Sequence, residues 1–576
     1  MMARTPSPLD QSIEEPLWFG PDERPLFGWL ARPQGKSVRG GVLLAPPVGR
    51  EMHAARRALR HVALSMAARG FVTLRFDYYG TGDSSGALDD PELGRGFVDS
   101  VAEAAAHLRS LGLEPISAIG MRLGATVVGV AAATHGVQFS SVVLWDPCES
   151  GRSYLRELSA LEALRREGMT IDSDGPVETP EFVFTRQAAL ELRALRLSDP
   201  GPGSIANQVL VVSRADRAIS GKLRDRLDRE EVHWLTTSEQ GALLDVEPRL
   251  AVLPGPSADQ IMAWLDQSPS PDETFEVRAA RSSALVAHEP GRLAVRERCV
   301  QLGSHLLFGI VSEPVGGASG PWIVFLNVSN GEHTGPSRLW VELSRRWAGR
   351  GLRCVRIDFE GIGDSPWVPG QPQPHVYDQG RVSDAAEVMR VLSPEDPSNS
   401  VFVGLCSGAF LGLEAALALQ SRAACAINPP IGMDVLHAAV RLGGSRRRAL
   451  RALATLLKEA VERLRWVAAG AWELCRMLLP STVAADLLVS VADRGSEVLV
   501  LASYEDRSPS TAPVLRTINS YPFVASKGYD VEWIEGLDHG MHAADGRART
   551  VDSLDRYVLG RFATATPLPS TRPTSN

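Results

Sequence analysis

Five residues in the second half of the chain, Gly404-Leu405-Cys406-Ser407-Gly408, have the types and spacing to present a nucleophile. They follow the apolar run Ser400-Val401-Phe402-Val403 and precede the helix-forming stretch Ala409 to Gln420. A strand that turns sharply into a helix holds its central side chain on a strained backbone, and small residues must flank it where the two elements nearly touch. The presented residue is then Cys406. Ser407 is out of register, because an elbow centred there would need glycines where Leu405 and Ala409 stand. Taken alone, the pentapeptide also fits a buried structural cysteine.

A cysteine nucleophile needs a base, and the base needs a group that orients it. The apolar run Glu497 to Ala502 reads as a strand ending in Ser503-Tyr504-Glu505-Asp506. A second, Tyr529 to Ile534, ends in Gly536-Leu537-Asp538-His539. Asp506 is the candidate acid and His539 the candidate base, with Glu505 and Asp434 as alternative acids and His542 as an alternative base. Trp322 to Leu326 leads into a loop, Asn327-Val328-Ser329-Asn330-Gly331-Glu332-His333. A backbone amide of Val328, Ser329 or Asn330, together with that of Ser407, would hold a developing oxyanion. His333 is a candidate substrate contact, with a surface histidine as the competing reading.

One further landmark completes the set: Cys354-Val355-Arg356-Ile357-Asp358, a strand, runs into the tight turn Gly361-Ile362-Gly363-Asp364-Ser365. With these landmarks in this order, residues 298 to 562 resemble an α/β-hydrolase. The resemblance implies a mostly parallel, doubly wound sheet with the nucleophile, acid and histidine on successive loops at its carboxyl edge.

The landmarks occur twice. Gly70 to Asp77 and Gly80-Thr81-Gly82-Asp83-Ser84 match Gly351 to Asp358 and Gly361 to Ser365, 281 positions on. Gly120-Met121-Arg122-Leu123-Gly124 matches the elbow, and Val209 to Asp216 matches the strand ending at Asp506. The offset drifts slowly, as loop insertions produce, so the expected architecture is two α/β-hydrolase domains in tandem. Arg122 replaces the nucleophile in the first, and a guanidinium has no deprotonated form within reach. The loop after Val232 to Leu235 reads Thr236-Thr237-Ser238-Glu239-Gln240-Gly241 and supplies no histidine. The first copy therefore reads as degenerate, with Arg122 either binding an anion at an old pocket mouth or pairing with a neighbour such as Asp216.

The expected organisation is an N-terminal extension over 1–22, the degenerate domain over 23–267 and a linker and lead-in over 268–297. The catalytic domain follows over 298–563, and a disordered Pro/Ser/Thr-rich tail occupies 564–576. At 576 residues the chain accommodates both domains. Its 44% hydrophobic and 22% charged residues are those of a globular protein. No apolar run approaches the ~20 residues of a membrane span, and residues 1–21 lack a basic start and an apolar core, so cytoplasmic residence is the expectation. Six scattered cysteines without C-x-x-C spacing or a His cluster suggest neither disulfides nor metal, and no cofactor is implied. A net charge of -8 argues against a nucleic-acid partner.

A long helical insertion, about 433–488, is expected as a lid over the second site. Residues 434–480 hold nine Lys/Arg against four acids, including Arg446, Arg447 and Arg448, inside an acidic protein. A solvated helical face explains this; so does docking of an acidic carrier protein or a coenzyme A thioester. Cysteine in place of serine favours reversible acyl transfer, because an acyl-cysteine thioester stays activated. Cysteine-centred members of the superfamily that this domain resembles include polyester synthases, dienelactone hydrolases, and the aminoacyl shuttles and thioesterases of natural-product or lipid pathways. The implied function is a cysteine-dependent acyltransferase or thioesterase acting on an acyl or aminoacyl thioester. Ester, lactone or carbon-carbon hydrolysis and a non-catalytic scaffold are the alternatives.

Overall fold

A computed structural model of the chain describes residues 11–35, 37–165, 177–179, 183–197, 205–228, 232–267, 273–274, 280–287, 292–366, 379–429, 482–503 and 529–563. The first sheet contains β1 (Ser12–Phe19), β2 (Leu26–Pro33), β3 (Gly41–Ala45), β4 (Val72–Phe76), β5 (Ile116–Met121), β6 (Ser141–Trp145), β7 (Gln208–Arg214) and β8 (Val232–Thr237). Their order is β1-β2-β4-β3-β5-β6-β7-β8, with β1, β2 and β4 antiparallel to one another in turn and the rest parallel.

The second sheet contains β9 (Ser283–Ala287), β10 (Val295–Leu302), β11 (Leu307–Pro314), β12 (Trp322–Phe325), β13 (Arg353–Ile357), β14 (Ser400–Leu405), β15 (Ala423–Ile427), β16 (Glu497–Ser503) and β17 (Tyr529–Ile534). Its order, β9-β10-β11-β13-β12-β14-β15-β16-β17, repeats the first with one edge strand added. The chain is thus two tandem α/β domains built on the same strand order.

Alternation along the strands explains the layers. Val42 and Leu44 of β3 enter one core with Val62 and Met66 of helix α1 (Arg50–Ala68), while Leu43 and Ala45 enter the opposite core with Val127 and Val128 of α2 (Leu123–His135). In the second domain Ile323 and Phe325 pack on Trp340 and Trp347 of α3 (Leu339–Ala348), and Phe402 packs on the side of α4 (Ser407–Leu419). Both faces are covered, so central parallel strands such as β3 (GVLLA) and β12 (WIVF) are apolar throughout.

Three expected boundaries move. The proposed N-terminal extension contains β1, which pairs with β2 over its whole length. Pro16 and the acids Glu14 and Glu15 hide it in the sequence, but an edge strand tolerates proline because one side of its ladder is unpaired. The proposed lead-in likewise contains β9 and the start of β10. Within the expected lid, a helix over Thr482–Asp493 buries Leu488 and Val491 in the core beneath α4, so this part is a sheet-covering layer. The remainder of the lid, with Arg446, Arg447 and Arg448, lies outside the described residues, as does the C-terminal tail.

The domains pack through equivalent faces. Phe27 meets Phe308 at a ring separation of 6.4 Å, and the two occupy matching positions of β2 and β11. Glu14 binds Arg75, whose guanidinium reaches Asp364 of the other domain; Glu297 binds Arg356, which reaches Asp83 in return. Reciprocal contact of equivalent residues is the mark of an approximately two-fold interface. His333 lies in it, wholly buried, with Nδ1 2.7 Å from Asp358 and Nε2 2.7 Å from Asp83. The expectation that His333 contacts substrate or solvent is therefore corrected: Nε2 bonds across the domain interface to Asp83, and Nδ1 bonds to Asp358 of its own domain. His333, Asp358 and Asp364 also form the one cluster of metal-ligand type among the described residues, and its carboxylates are engaged by backbone amides and by Arg56 and Arg75.

Candidate active site

The turn at Cys406 is an elbow in the geometrical sense. Cys406 has φ 52° and ψ −118°, between the last residue of β14 and the first of α4. A residue bearing a side chain holds such angles only when the surroundings impose them. Close packing does so here: a Cβ at Gly404 would fall 2.2 Å from Gly408 C, and one at Gly408 would fall 2.6 Å from Asn327 O. The two glycines let strand, helix and the loop after β12 approach one another, and Cys406 is left half-buried at the carboxyl edge of the sheet.

His539 Nε2 lies 3.2 Å from Cys406 Sγ. The loop that carries it is fixed from several sides. Asn428, which follows β15 with φ 42°, donates from Nδ2 to the carbonyls of Asp538 (3.1 Å) and His539 (3.4 Å), and its Oδ1 accepts the amide of Ser503 at 3.1 Å. The Ser503 hydroxyl donates to Leu537 O. Asp538 accepts the amides of Gly540, His542 and Ala543 at 2.9, 3.1 and 2.7 Å. Burial raises the Asp538 pKa, but these three amides and the nearby His542 outweigh it and hold the carboxyl below its ordinary value. The ring of His542 lies over Gly540, where an added Cβ would be 2.4 Å from Nε2. His539 is thus the histidine that meets the thiol. Asp506 and the alternatives Glu505 and Asp434 lie outside the described residues.

The loop proposed for the oxyanion hole lies beside the elbow. Asn327 braces it, donating to Gly331 O and Asp358 Oδ1, both at 2.9 Å, and accepting the amide of Phe359. The Ser329 amide donates to Ser407 Oγ at 2.7 Å, so of the three candidate amides this one is already engaged. Among the described residues the amides of Ser407 and Val328 have no hydrogen-bond acceptor. Asn428 and Ser503 were not anticipated; an asparagine one residue past a strand end is a weak signal until its loop partner is known.

The first domain keeps the elbow and fills its site. Arg122 has φ 54° and ψ −121°, nearly the backbone of Cys406. Gly124 stands where a Cβ would lie 2.4 Å from Ala45 O, matching Gly408 against Asn327. The guanidinium is buried and bonded to Glu51 at 2.8 Å and Glu157 at 2.9 Å, with Asp146 at 3.8 Å. Asp216 pairs with Arg214 instead, which corrects the expected partner of Arg122. An arginine enclosed by its own carboxylates is not presented to a ligand, so the anion-binding reading of Arg122 also fails. Gln240 occupies the histidine loop, buried against Thr237.

No family model matches the chain, and no curated protein matches it. Solved structures to which it is similar include Est1E from Butyrivibrio proteoclasticus, at 15% identity over 43% of this chain and 97% of that one, with a TM-score of 0.33. XC6422 from Xanthomonas campestris, described as an α/β serine hydrolase without lid, is 16% identical over 48% of this chain and 99% of that one, with a TM-score of 0.28. The dienelactone hydrolase-like promiscuous phosphotriesterase P91 from metagenomic libraries is 15% identical over 46% and 99%, with a TM-score of 0.30. No helix of the described residues is long and apolar enough to cross a membrane.

Proposed function

We propose that the second domain is a cysteine-dependent acyltransferase or thioesterase that works through an acyl-Cys406 intermediate. The observation that carries this reading is the 3.2 Å contact between Cys406 Sγ and His539 Nε2 at a strained strand-to-helix turn. In the first half-reaction the Sγ proton passes to His539 Nε2, the thiolate attacks the thioester carbonyl, and the oxyanion is held by the amides of Ser407 and Val328. The tetrahedral adduct collapses with loss of the donor thiolate, which takes the proton from His539. In the second half-reaction His539 removes a proton from water, alcohol, amine or thiol; that acceptor attacks the acyl carbon, and the Cys406 sulfur leaves and is reprotonated.

Asp506 is the residue proposed to orient the imidazole. An acidic carrier protein or coenzyme A is the proposed bearer of the acyl group, drawn by the basic segment around Arg446, Arg447 and Arg448. Cysteine is suited to transfer because donor and acyl-enzyme are both thioesters, so the group remains activated for its acceptor.

Turnover of short acyl-coenzyme A thioesters, with and without added amine or thiol acceptors, tests the reading. Acyl release that requires Cys406 and His539 supports it, and the share captured by the acceptor separates transfer from hydrolysis. Undiminished turnover by Cys406→Ala contradicts it.

A further inference from the structure

Two routes of direct contact run from the first domain to the loop that carries His539. The first passes through Glu178, on the short hairpin Val177–Glu178 and Val183–Phe184 between β6 and β7. Its Oε1 accepts the amide of Ala544 at 3.0 Å. Ala544 opens helix α5 (Ala544–Phe562), whose own N-cap residue, Ala543, offers no side-chain acceptor. A carboxylate from the other domain therefore caps this helix, where it satisfies an orphan amide and faces the positive end of the helix dipole.

The second route passes through Arg338. Its guanidinium donates to the carbonyls of Gly82, Gly86 and Ser84 in the first domain's turn at 2.8, 2.8 and 2.6 Å. That grip fixes Ser337, its neighbour, which has φ 49°. Arg547 of α5 then donates to Ser337 Oγ, Met541 O and His542 O at 3.1, 3.1 and 3.3 Å.

We infer that the first domain, without a nucleophile of its own, is a positioning module for His539: Glu178 and Arg338 are the residues through which it holds the histidine loop against Cys406. The inference rests on the proposed pairing of Cys406 with His539 and assigns the degenerate domain a function at that site.

The test uses the full chain with Glu178→Ala, Glu178→Gln and Arg338→Ala. Glu178→Asp, one methylene short of the Ala544 amide, serves where Glu178→Ala does not fold. Hydrogen exchange over 536–550 reads the loop directly. Alkylation of Cys406 by iodoacetamide at pH 6 and pH 9 reads the pairing, since iodide leaves and the Sγ proton goes to His539 only while the two groups stay in contact. Glu178→Ala is expected to speed exchange about tenfold. It should slow alkylation more at pH 6 than at pH 9 and lower kcat about tenfold or more, with KM nearly unchanged. Glu178→Gln, whose carbonyl still accepts the amide, should recover most of each effect.

Exchange and alkylation profiles identical to the parent in both the Glu178 and the Arg338 variants would overturn the inference. Loss of the parent's thioester turnover as a finding, with exchange and alkylation still responding, would remove the proposed function and leave the positioning role intact. Turnover that no variant changes would do the reverse.

Discussion

Cys406 is set apart from the other described cysteines by its surroundings. Burial pushes the thiols of Cys148 and Cys425 up to about 12, and those of Cys354 and the half-buried Cys299 higher still, so these remain protonated packing groups. Cys406 instead stands half-buried against an imidazole. Brief treatment with iodoacetamide at neutral pH, followed by peptide mapping, should therefore label Cys406 ahead of Cys148, Cys354 and Cys425. Asn428 is the residue whose loss should most cleanly separate geometry from chemistry. It touches the histidine loop and the end of β16 through one amide group, so Asn428→Ala releases His539 without altering either reacting atom. Steady-state kinetics should show kcat lower by about ten- to a hundredfold, with the fold retained. The turn at Cys406 and the loop that carries His539 were legible in the sequence because their glycines and strand ends are local signals. Asn428 was not, since its meaning depends on carbonyls 110 residues away.

At the scale of elements, the elbow is a three-body contact among β14, α4 and the loop after β12. Gly408→Ala would place a methyl carbon 2.6 Å from Asn327 O, and the loop must retreat to make room. The Ser329 to Ser407 bond and the Val328 amide move with it. Under the proposed function, turnover by Gly408→Ala should fall by about a hundredfold, with a smaller loss of thermal stability, as turnover and melting measurements would report. The histidine loop also has a pH dependence of known sign. Asp538 has a folded-state pKa below its unfolded one, so its contribution is fully present above the ordinary carboxylate range and lost as pH falls through the depressed value. Protection from exchange over 538–544, relative to the intrinsic rate at each pH, should fall in acid, and Asp538→Asn should remove most of that dependence. The parallel strands and the turn at Cys406 that follows one of them were readable from apolar runs and turns. The edge strands β1 and β9 were not, because a strand paired on one side tolerates Pro16 and charged residues.

The whole molecule is held together by a charged interface that no local pattern announces. Asp83, His333, Asp358, Arg356, Arg75 and Asp364 meet only when two turns 281 positions apart face each other. Each reads in the sequence as an ordinary turn or strand residue, and His333 as a surface histidine or a substrate contact. Burial lowers the His333 pKa, but Asp358 and Asp83 outweigh it and hold the ring protonated well above its ordinary value. A raised folded-state pKa means this contribution is complete below the unfolded value of ~6.5 and is lost as pH climbs through the folded one. Thermal unfolding should thus show domain packing weakening at alkaline pH, and His333→Gln should flatten that limb. Removing one partner of this buried set, as in Asp364→Ala, should cost about 3–5 kcal/mol by denaturant unfolding.

Intact-protein mass spectrometry after incubation with a panel of acyl thioesters tests the covalent intermediate most directly. The expected result is an acyl adduct that maps to Cys406, is absent from Cys406→Ala, and forms or clears slowly in His539→Ala. An adduct on another residue, or none with any donor while the protein still turns a thioester over, would contradict it.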